Sequence, residues 1–177
     1  TRGFWQDPAR YEETYWSRWP GTWVHGDWAR LDDDGQWTIE GRSDDTIKIA
    51  GKRLGPAEVE SLLVAHPDVI EAAAIEIPHE VKGGALACYV VVQSGAKADE
   101  ALRTALVARV VDGLGKAMKP DSVRFTDELP KTRNAKIMRR LVRAVHLAAT
   151  SGVESPALGD VSALDNPGAL DALRRAR

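Results

Sequence analysis

Several features common in other protein classes are scarce in this 177-residue sequence. Its single cysteine, Cys88, lies in the apolar run ALACYVVV, which predicts a buried strand thiol and not a nucleophile or half of a disulfide. We therefore expect a reducing, cytoplasmic setting. No apolar run is long enough to cross a bilayer, and the first residues show neither an apolar signal core nor a cleavage site. The net charge of -2 does not indicate nucleic acid or a membrane as a partner.

Tryptophan, in contrast, is abundant but unevenly distributed, because all six tryptophans lie within the first 37 residues. So many large aromatic side chains in one short segment indicate that it packs on something large. The length allows one ordinary domain, or a small domain plus part of another. We therefore expect this segment to pack on a domain that the chain does not contain. The tryptophans are Trp5, Trp16, Trp19, Trp23, Trp28 and Trp37.

Apolar periodicity and turn signals predict most of the secondary structure. The segments TWVHGDWARLD and QWTIEGR flank DDDG and predict a β-hairpin, whereas VIEAAAIEI and GALACYVVV predict two paired strands. Leu102, Leu106 and Val110 predict an amphipathic helix that ends at the following glycines. The other predicted elements are helices at 7–19, 56–66 and 134–149, strands around 47–50 and 122–125, and a mostly irregular tail with a short helix near Leu170.

The order of these elements predicts an α+β fold in which a hairpin precedes a β-α-β-β-α-β-α domain. We expect residues 1–44 to be the end of a larger domain, residues 45–149 to form a compact domain, and residues 150–177 to form the tail.

The segment DELPKTRNAKIMRR concentrates positive charge between residues 127 and 140. In the predicted helix, Arg139, Arg140 and Arg143 point outward, and a solvated basic face is the simplest interpretation. A nucleic-acid patch is a second interpretation, but the segment has no interleaved aromatic residues and no nucleic-acid-binding motif. A third is that one lysine enters a phosphate-containing active site, since lysine places a compact charge on a long flexible stem.

Other polar residues have equally simple structural interpretations. Asp27 follows a glycine, where a carboxylate can accept hydrogen bonds from vicinal sugar hydroxyls, but most Gly-Asp pairs are turns. Arg42, Asp44 and Asp45 are expected to form a surface ion-pair network. We assign structural roles to His25, His66 and His79, and GLGKAMK lacks the spacing of a phosphate-binding loop.

Several stretches occur in a recognisable order along the chain: GDWARLDDDGQW, GRSDDTIKIAGKRLGPAEVESLLVAHPDV, EAAAIEIPHEVKGGAL, LPKTRNAKIMRR and LGDVSALDNPG. Together they resemble the C-terminal part of the AMP-forming acyl-CoA synthetases of the adenylate-forming superfamily, and most closely the acetyl-CoA synthetase-like branch. The resemblance covers essentially the whole chain.

This resemblance implies a two-step ligase reaction. A small carboxylate attacks the α-phosphate of ATP to give acyl-AMP and pyrophosphate, and the thiol of CoA then attacks the acyl carbon and expels AMP. It also implies a small mobile C-terminal domain, a short β-sheet with helices packed on it, that follows a β-hairpin remnant of the large N-terminal domain. The small domain rotates between the two steps, and Asp44 occupies the hinge position.

The resemblance also implies roles for individual residues. Lys136 matches the lysine that stabilises the adenylation transition state and that is a target of reversible acylation. An acetyltransferase and a deacetylase are therefore implied partners. The implied ligand-binding residues are Asp27, Arg42 and Arg53 for ATP or AMP, Ala50 and Gly51 for the pantetheine of CoA, and the main-chain oxygens near Val64, His66 and Val69 for Mg²⁺.

Two positions depart from the family pattern. The motif before the lysine usually reads Ser-Gly-Lys, whereas this chain has Asn134 and Ala135 before Lys136. We expect loss of the glycine to stiffen the loop and to remove access to positive φ. Val111 stands where acetyl-CoA synthetases place an arginine for a CoA phosphate, and the nearby cations that could substitute are Arg109, Lys116 and Lys119.

The sequence lacks the phosphate loop, the adenine-binding segment and the acyl pocket that this family keeps in its large domain. We therefore expect a fragment that is inactive alone, and the acid it uses cannot be read from these residues. Two alternatives remain open: a non-catalytic binding module that presents the basic segment, and an adenylating enzyme that loads a carrier protein.

Overall fold

The computed structural model describes residues 2–43, 45–49, 51–152 and 157–177, and the chain divides into two compact units, the second beginning at Asp45. The first unit contains α1 (Pro8–Tyr15), β1 (Asp27–Leu31) and β2 (Trp37–Arg42). The second contains β3 (Ile47–Ile49), β4 (Lys52–Leu54), α2 (Pro56–Val64), β5 (Val69–His79), β6 (Gly83–Val92), α3 (Glu100–Leu114), β7 (Ser122–Phe125), α4 (Arg139–Ser151) and α5 (Gly168–Arg175). The α+β class is confirmed.

Side-chain caps and turns define the first unit. Asp7 caps α1, because its carboxylate accepts a hydrogen bond from the Arg10 N–H at 3.1 Å. Strands β1 and β2 pair antiparallel, and Asp32 closes the turn between them by accepting hydrogen bonds from the N–H groups of Asp34 and Gln36. The hairpin predicted around DDDG is therefore confirmed.

The second unit is built around β6. This strand pairs antiparallel with β5 and parallel with β7, so the predicted pairing of the two apolar runs is confirmed. Because side chains alternate along a strand, Leu86, Cys88 and Val90 face one hydrophobic cluster while Ala87 and Tyr89 face another. Strand β6 is therefore buried on both faces.

Different elements cover the two faces of the sheet. The first cluster includes residues of β3, α2 and α3, among them Ile47, Val59 and Leu106. The second cluster includes residues of α4 and α5, among them Val145 and Leu173. The result is a sheet with one helical layer on each face.

The longest helix in the described part of the chain is α3, with 15 residues. It begins at the cap Asp99, whose carboxylate accepts the Leu102 N–H at 3.0 Å, and ends at Gly115, as the sequence indicated. The predicted apolar face of Leu102, Leu106 and Val110 is buried. Among the described residues, no helix combines the length and the apolar character needed to cross a membrane.

The predicted start of α4 was wrong, because the helix begins at Arg139 and not at residue 134. Residues 131–137 instead form a loop closed by a bridge between Lys131 and Ile137, because main-chain hydrogen bonds across the loop replace those of a helix. Strand β4 was also missed, since three residues are too few to show a period.

The C-terminal tail contains the expected short helix, and this helix is part of the core. Ala169, Ala172 and Leu173 of α5 are buried. Beyond the helix, Arg177 exchanges two main-chain hydrogen bonds with Phe125 at the end of β7. The tail therefore supports the sheet at its β7 edge, which its composition did not indicate.

Two polar side chains meet inside the second layer. The Tyr89 hydroxyl lies 3.0 Å from His146 Nδ1, and both residues are buried. Burial lowers the pKa of His146, and the positive charge of Arg124 lowers it further. On the other face of β6, Cys88 is buried as predicted, and burial raises the pKa of its thiol.

We expect Leu173→Ala to lower the free energy of unfolding by about 2–4 kcal/mol, because it leaves a cavity where α5 meets the sheet. Asp171→Ala, at an exposed pair with Arg174 on the same helix, should change it by less than about 0.5 kcal/mol. Urea denaturation of both variants measures the difference. Equal effects would show that α5 does not belong to the cooperative core.

We expect the free energy of unfolding to fall as the pH drops below about 6.5, the ordinary histidine value, because the unfolded chain protonates His146 more readily than the folded chain does. His146→Gln keeps a polar partner for Tyr89 and should flatten this dependence. Urea titrations between pH 7 and pH 5 compare the two proteins. Parallel pH profiles would exclude His146 as the source.

Candidate functional site

In the first unit, the structure brings together two of the expected site residues, Asp27 and Arg42. They are paired across the β1–β2 hairpin, and Asp27 Oδ1 lies 3.5 Å from Arg42 Nη1. Asp27 Oδ2 also contacts Nδ1 of His25. The guanidinium of Arg42 donates to the His25 carbonyl at 3.3 Å. The carboxylate is thus held between two groups that can carry positive charge, in a mostly buried position.

Gly26 allows this approach of Arg42. Its φ of +86° is unfavourable for other residues, and a Cβ built there would lie 3.0 Å from Arg42 Nη2. The Gly26 carbonyl accepts hydrogen bonds from both the main-chain N–H and the hydroxyl of Ser43. The chain leaving β2 is therefore fixed to the strand that carries Asp27.

The expected hinge residue Asp44 and the expected pantetheine contact Ala50 lie outside the described residues. Gly51 lies in the tight turn between β3 and β4, with φ of +80° and open space where a Cβ would project. The turn itself explains a glycine at this position. Arg53 follows on β4, exposed and opposite Lys48.

Lys136 lies in the segment that replaces the expected start of α4. We call residues 128–138 the lysine loop. Within it, the Thr132 N–H donates to the Lys136 carbonyl at 2.9 Å, and the Lys136 N–H lies 3.3 Å from the Thr132 hydroxyl oxygen. The Met138 N–H donates to the Pro130 carbonyl at 2.8 Å. The side chain of Lys136 is exposed at the end of a turn whose main chain is internally hydrogen-bonded.

Ala135 corrects the expectation about the missing glycine. Its φ is +58°, and its N–H donates to the Thr132 carbonyl at 2.8 Å. The loop therefore keeps the left-handed conformation that glycine would favour, at a cost of roughly 1–2 kcal/mol for a residue with a Cβ. The replacement strains the loop but does not remove its access to positive φ.

Apolar contacts place the lysine loop and the Gly51 turn on different faces of the sheet. Leu129 and Ile137 of the loop pack in the cluster formed by α4 and α5. Ile49, which leads into the Gly51 turn, packs in the cluster formed by α2 and α3. Strand β6 separates the two clusters, because its side chains alternate between them.

Arg139 forms an ion pair that the sequence did not reveal. Its guanidinium donates to both Glu60 oxygens, at 2.7 and 2.6 Å, and Nη1 donates to Asp45 at 3.3 Å. The expectation that Arg139 points outward is therefore wrong. The hydrogen bonds that Arg139 donates to the Glu60 carboxylate raise the pKa of Arg139 above its ordinary value. This network joins Asp45, the first residue of the second unit, to α2 and to the start of α4, directly after the lysine loop.

The turn at the end of α2 contains the residues expected near Mg²⁺. The His66 carbonyl accepts the Val69 N–H at 3.0 Å, and His66 Nδ1 accepts the Asp68 N–H. The side chains of Val64 and Val69 offer no donor atoms, so only main-chain oxygens of these residues are available. Oxygen donors at the negative end of a helix fit the chemistry of a hard cation. Among the described residues, no three His, Cys, Asp or Glu side chains form a metal-binding group.

The cations near Val111 are not equivalent. Arg109 donates to the Ala65 carbonyl at 3.2 Å and so stabilises the end of α2. Lys119 lines an open cleft of about 590 Å³ together with Arg103 and Arg124. The carboxylates of Glu100 and Asp121 also line this cleft, and its lining includes no residue of the lysine loop.

Comparisons with known proteins identify a matching family and similar sequences. Residues 58–136 match the family described as the AMP-binding enzyme C-terminal domain. The chain is 45% identical, over 98% of its length, to an acetyl-coenzyme A synthetase of Chlorobaculum tepidum, and it spans about a quarter of the length of the curated relatives it matches.

Two solved structures have a similar fold. An acetoacetyl-CoA synthetase from Streptomyces lividans is 27% identical and superposes with a TM-score of 0.76, covering 94% of this chain and 24% of that protein. An anthranilate CoA ligase in complex with anthranoyl-AMP is 31% identical with a TM-score of 0.69, covering 82% of this chain and 28% of the ligase. The predicted resemblance is thus confirmed, and it includes a match of residues 58–136 to the AMP-binding enzyme C-terminal domain.

Proposed function

We propose that this chain acts as the mobile C-terminal domain of an AMP-forming acyl-CoA synthetase. The observation that carries this proposal is the similarity over 98% of the chain to an acetyl-coenzyme A synthetase, a match that includes Lys136 on an ordered loop. The overall reaction converts a small carboxylate, ATP and CoA into an acyl-CoA thioester, AMP and pyrophosphate.

In the first step, Lys136 stabilises the charge that moves during adenylation. A carboxylate oxygen of the acid attacks the α-phosphorus, and the bond to pyrophosphate breaks. The ammonium of Lys136 meets the α-phosphate and the attacking oxygen as negative charge is redistributed. The hydrogen-bonded main chain of the lysine loop supports this role, because it fixes the point from which the flexible side chain reaches out.

The residues of the first unit hold the nucleotide. Asp27 accepts hydrogen bonds from the ribose hydroxyls, and Arg42 contacts the ribose and the phosphate. Their pairing across the hairpin supports these roles, since the carboxylate and the guanidinium are already held close together. Arg53 provides a further nucleotide contact from β4.

In the second step, the small domain rotates about Asp44 and presents a different face. The thiol of CoA, after losing its proton, attacks the acyl carbon, and the bond to AMP breaks. Ala50 and Gly51 line the path of the pantetheine arm, which passes close to a backbone without an obstructing side chain. The location of the Gly51 turn and the lysine loop on different faces of the sheet supports an exchange of this kind.

The exposed aromatic residues of the first unit support a missing domain as partner. The exposed fractions of Trp5 and Trp37 are 89% and 70%, and Trp28 is also exposed. Large apolar side chains on one segment suit burial against the large N-terminal domain of the same enzyme. An acetyltransferase and a deacetylase that act on Lys136, and a cytoplasmic location, complete the proposal. Mg²⁺ would neutralise phosphate charge, and main-chain oxygens of Val64, His66 and Val69 would hold a second, structural ion.

We expect Lys136→Ala to reduce adenylation by at least about a hundredfold, while conversion of preformed acyl-AMP and CoA to thioester changes little. The measurements are carboxylate-dependent ATP-pyrophosphate exchange and thioester formation by the enzyme that joins this chain to a large adenylate-forming domain. Arg133→Ala is the matched control, because Arg133 is an exposed cation of the same loop.

Equal losses in the two half-reactions would contradict the role of Lys136. No exchange with any acid in the unaltered enzyme would favour a non-catalytic binding module. Exchange followed by transfer to a carrier protein but not to free CoA would favour the carrier-loading alternative.

We expect Ala135→Gly to raise the free energy of unfolding by about 0.5–1 kcal/mol, because glycine adopts φ of +58° without the steric cost of a Cβ. Ala108→Gly, at an exposed position of α3, should lower it by about 1 kcal/mol. Urea denaturation of the 177-residue chain measures both. A destabilising Ala135→Gly would show that the loop is not held in the left-handed conformation.

A further inference from the structure

Residues 158–167, which we call the brace, run beside the lysine loop. At one end, the guanidinium of Arg140 on α4 donates to the carbonyls of Leu158 and Asp160. At the other end, the chain enters α5, whose Ala169 and Leu173 are buried. The brace is therefore fixed at both ends to the layer on which the lysine loop rests.

The brace pairs with the loop through its main chain. The Asp165 N–H donates to the Lys131 carbonyl at 2.9 Å, and Leu164 forms an antiparallel bridge with Thr132. On its other side, Lys131 is bridged to Ile137. Lys131 and Thr132 thus lie between the brace on one side and the segment that carries Lys136 and Ile137 on the other.

Asn166 connects the brace to three residues of the lysine loop. Its Oδ1 accepts the Lys131 N–H at 2.8 Å, and its Nδ2 donates to the Leu129 carbonyl at 2.9 Å and to Glu128 Oε2 at 2.8 Å. The orientation of the amide follows from these partners, since the reverse would place an oxygen against two acceptors.

The contacts lead from Asn166 to the position of Lys136 in two steps. Asn166 fixes Lys131, and the next residue, Thr132, donates its N–H to the Lys136 carbonyl and accepts the Ala135 N–H. Ala135 is in a strained conformation, so the turn depends on external support to remain in this shape. Lys131 has a further anchor, because its ammonium pairs with Glu71 on β5.

We propose that Asn166 is a positioning residue for Lys136, acting through the brace to hold the lysine loop in the shape that adenylation uses. This inference rests on the proposed function of Lys136. The side-chain contacts of Asn166 are with Glu128, Leu129 and Lys131 of the lysine loop, so its effect is confined to the step in which Lys136 takes part.

Glu128 explains why position 166 requires an amide, because its carboxylate needs a donor at this point. Replacing Asn166 by aspartate keeps the size of the side chain, but it places a carboxylate oxygen 2.8 Å from Glu128 Oε2 and removes the donor to Leu129. Two carboxylates at this distance repel each other. In the double variant Asn166→Asp/Glu128→Gln, an amide at position 128 can donate to the new carboxylate and restore one hydrogen bond.

The first test uses the 177-residue chain and measures hydrogen exchange of the Thr132 and Ala135 amides by NMR. We expect Asn166→Asp to accelerate exchange at these amides about tenfold or more relative to amides of β6, and Glu128→Gln to reverse part of this in the double variant. Asp165→Asn is the matched control, since Asp165 contributes its main-chain N–H to the loop and its side chain is exposed. Asn166→Ala removes the three hydrogen bonds without adding a charge and should give the same local acceleration. It replaces Asn166→Asp in this test if the aspartate variant does not fold.

The second test uses the enzyme that joins this chain to a large adenylate-forming domain. We expect Asn166→Asp to lower ATP-pyrophosphate exchange about tenfold, to leave thioester formation from preformed acyl-AMP unchanged, and to be partly rescued by Glu128→Gln. A residue that only stabilises the fold would affect both half-reactions through the amount of folded enzyme.

The outcomes separate this inference from the proposed function. Unchanged exchange at Thr132 and Ala135 in both Asn166 variants would overturn the inference, whatever the enzyme does. Faster amide exchange with unchanged adenylation, in an enzyme that Lys136→Ala inactivates, would overturn the positioning role. Insensitivity of adenylation to Lys136→Ala would instead refute the proposed function itself.

Discussion

The burial of β6 on both faces is the constraint on which the second unit depends. A strand with Leu86, Cys88 and Val90 on one side and Ala87 and Tyr89 on the other is stable only when both sides are covered. The layer of α2 and α3 supplies one cover, and α4 with α5 supplies the other. The Gly51 turn lies on the first of these layers, and the lysine loop lies on the second. The position of both segments thus follows from the pattern of one strand.

The fold was predictable where one period extends over many residues. The apolar runs of β5 and β6 are long enough to predict two strands. The apolar positions of α3 recur often enough to predict an amphipathic helix. The start of α4 was not predictable, because Ile137 fits a helical pattern with Leu141 and yet packs from the loop. Strand β4 is too short to show a period, and α5 follows a stretch with turn-forming composition. In these cases tertiary contacts decide the local structure.

The candidate site was predictable only through ordered motifs, and these identify residues but not their environment. The motifs placed Asp27 and Arg42 in one site, and the hairpin register shows why they meet. No local pattern could show that Arg139 turns inward to Glu60, since the partners are 79 residues apart. Asn166 gave only the turn signal of an Asn-Pro pair. The prediction that Ala135 has no access to positive φ was wrong, because the hydrogen bond from its N–H to the Thr132 carbonyl opposes the steric preference of alanine.

The ion pair of Arg139 with Glu60 and Asp45 has a mechanical consequence. Asp45 is the first residue of the second unit. Through Arg139 it is attached both to α2, by way of Glu60, and to the start of α4. A displacement of the main chain at Asp45 is therefore resisted by two helices of the second unit at once.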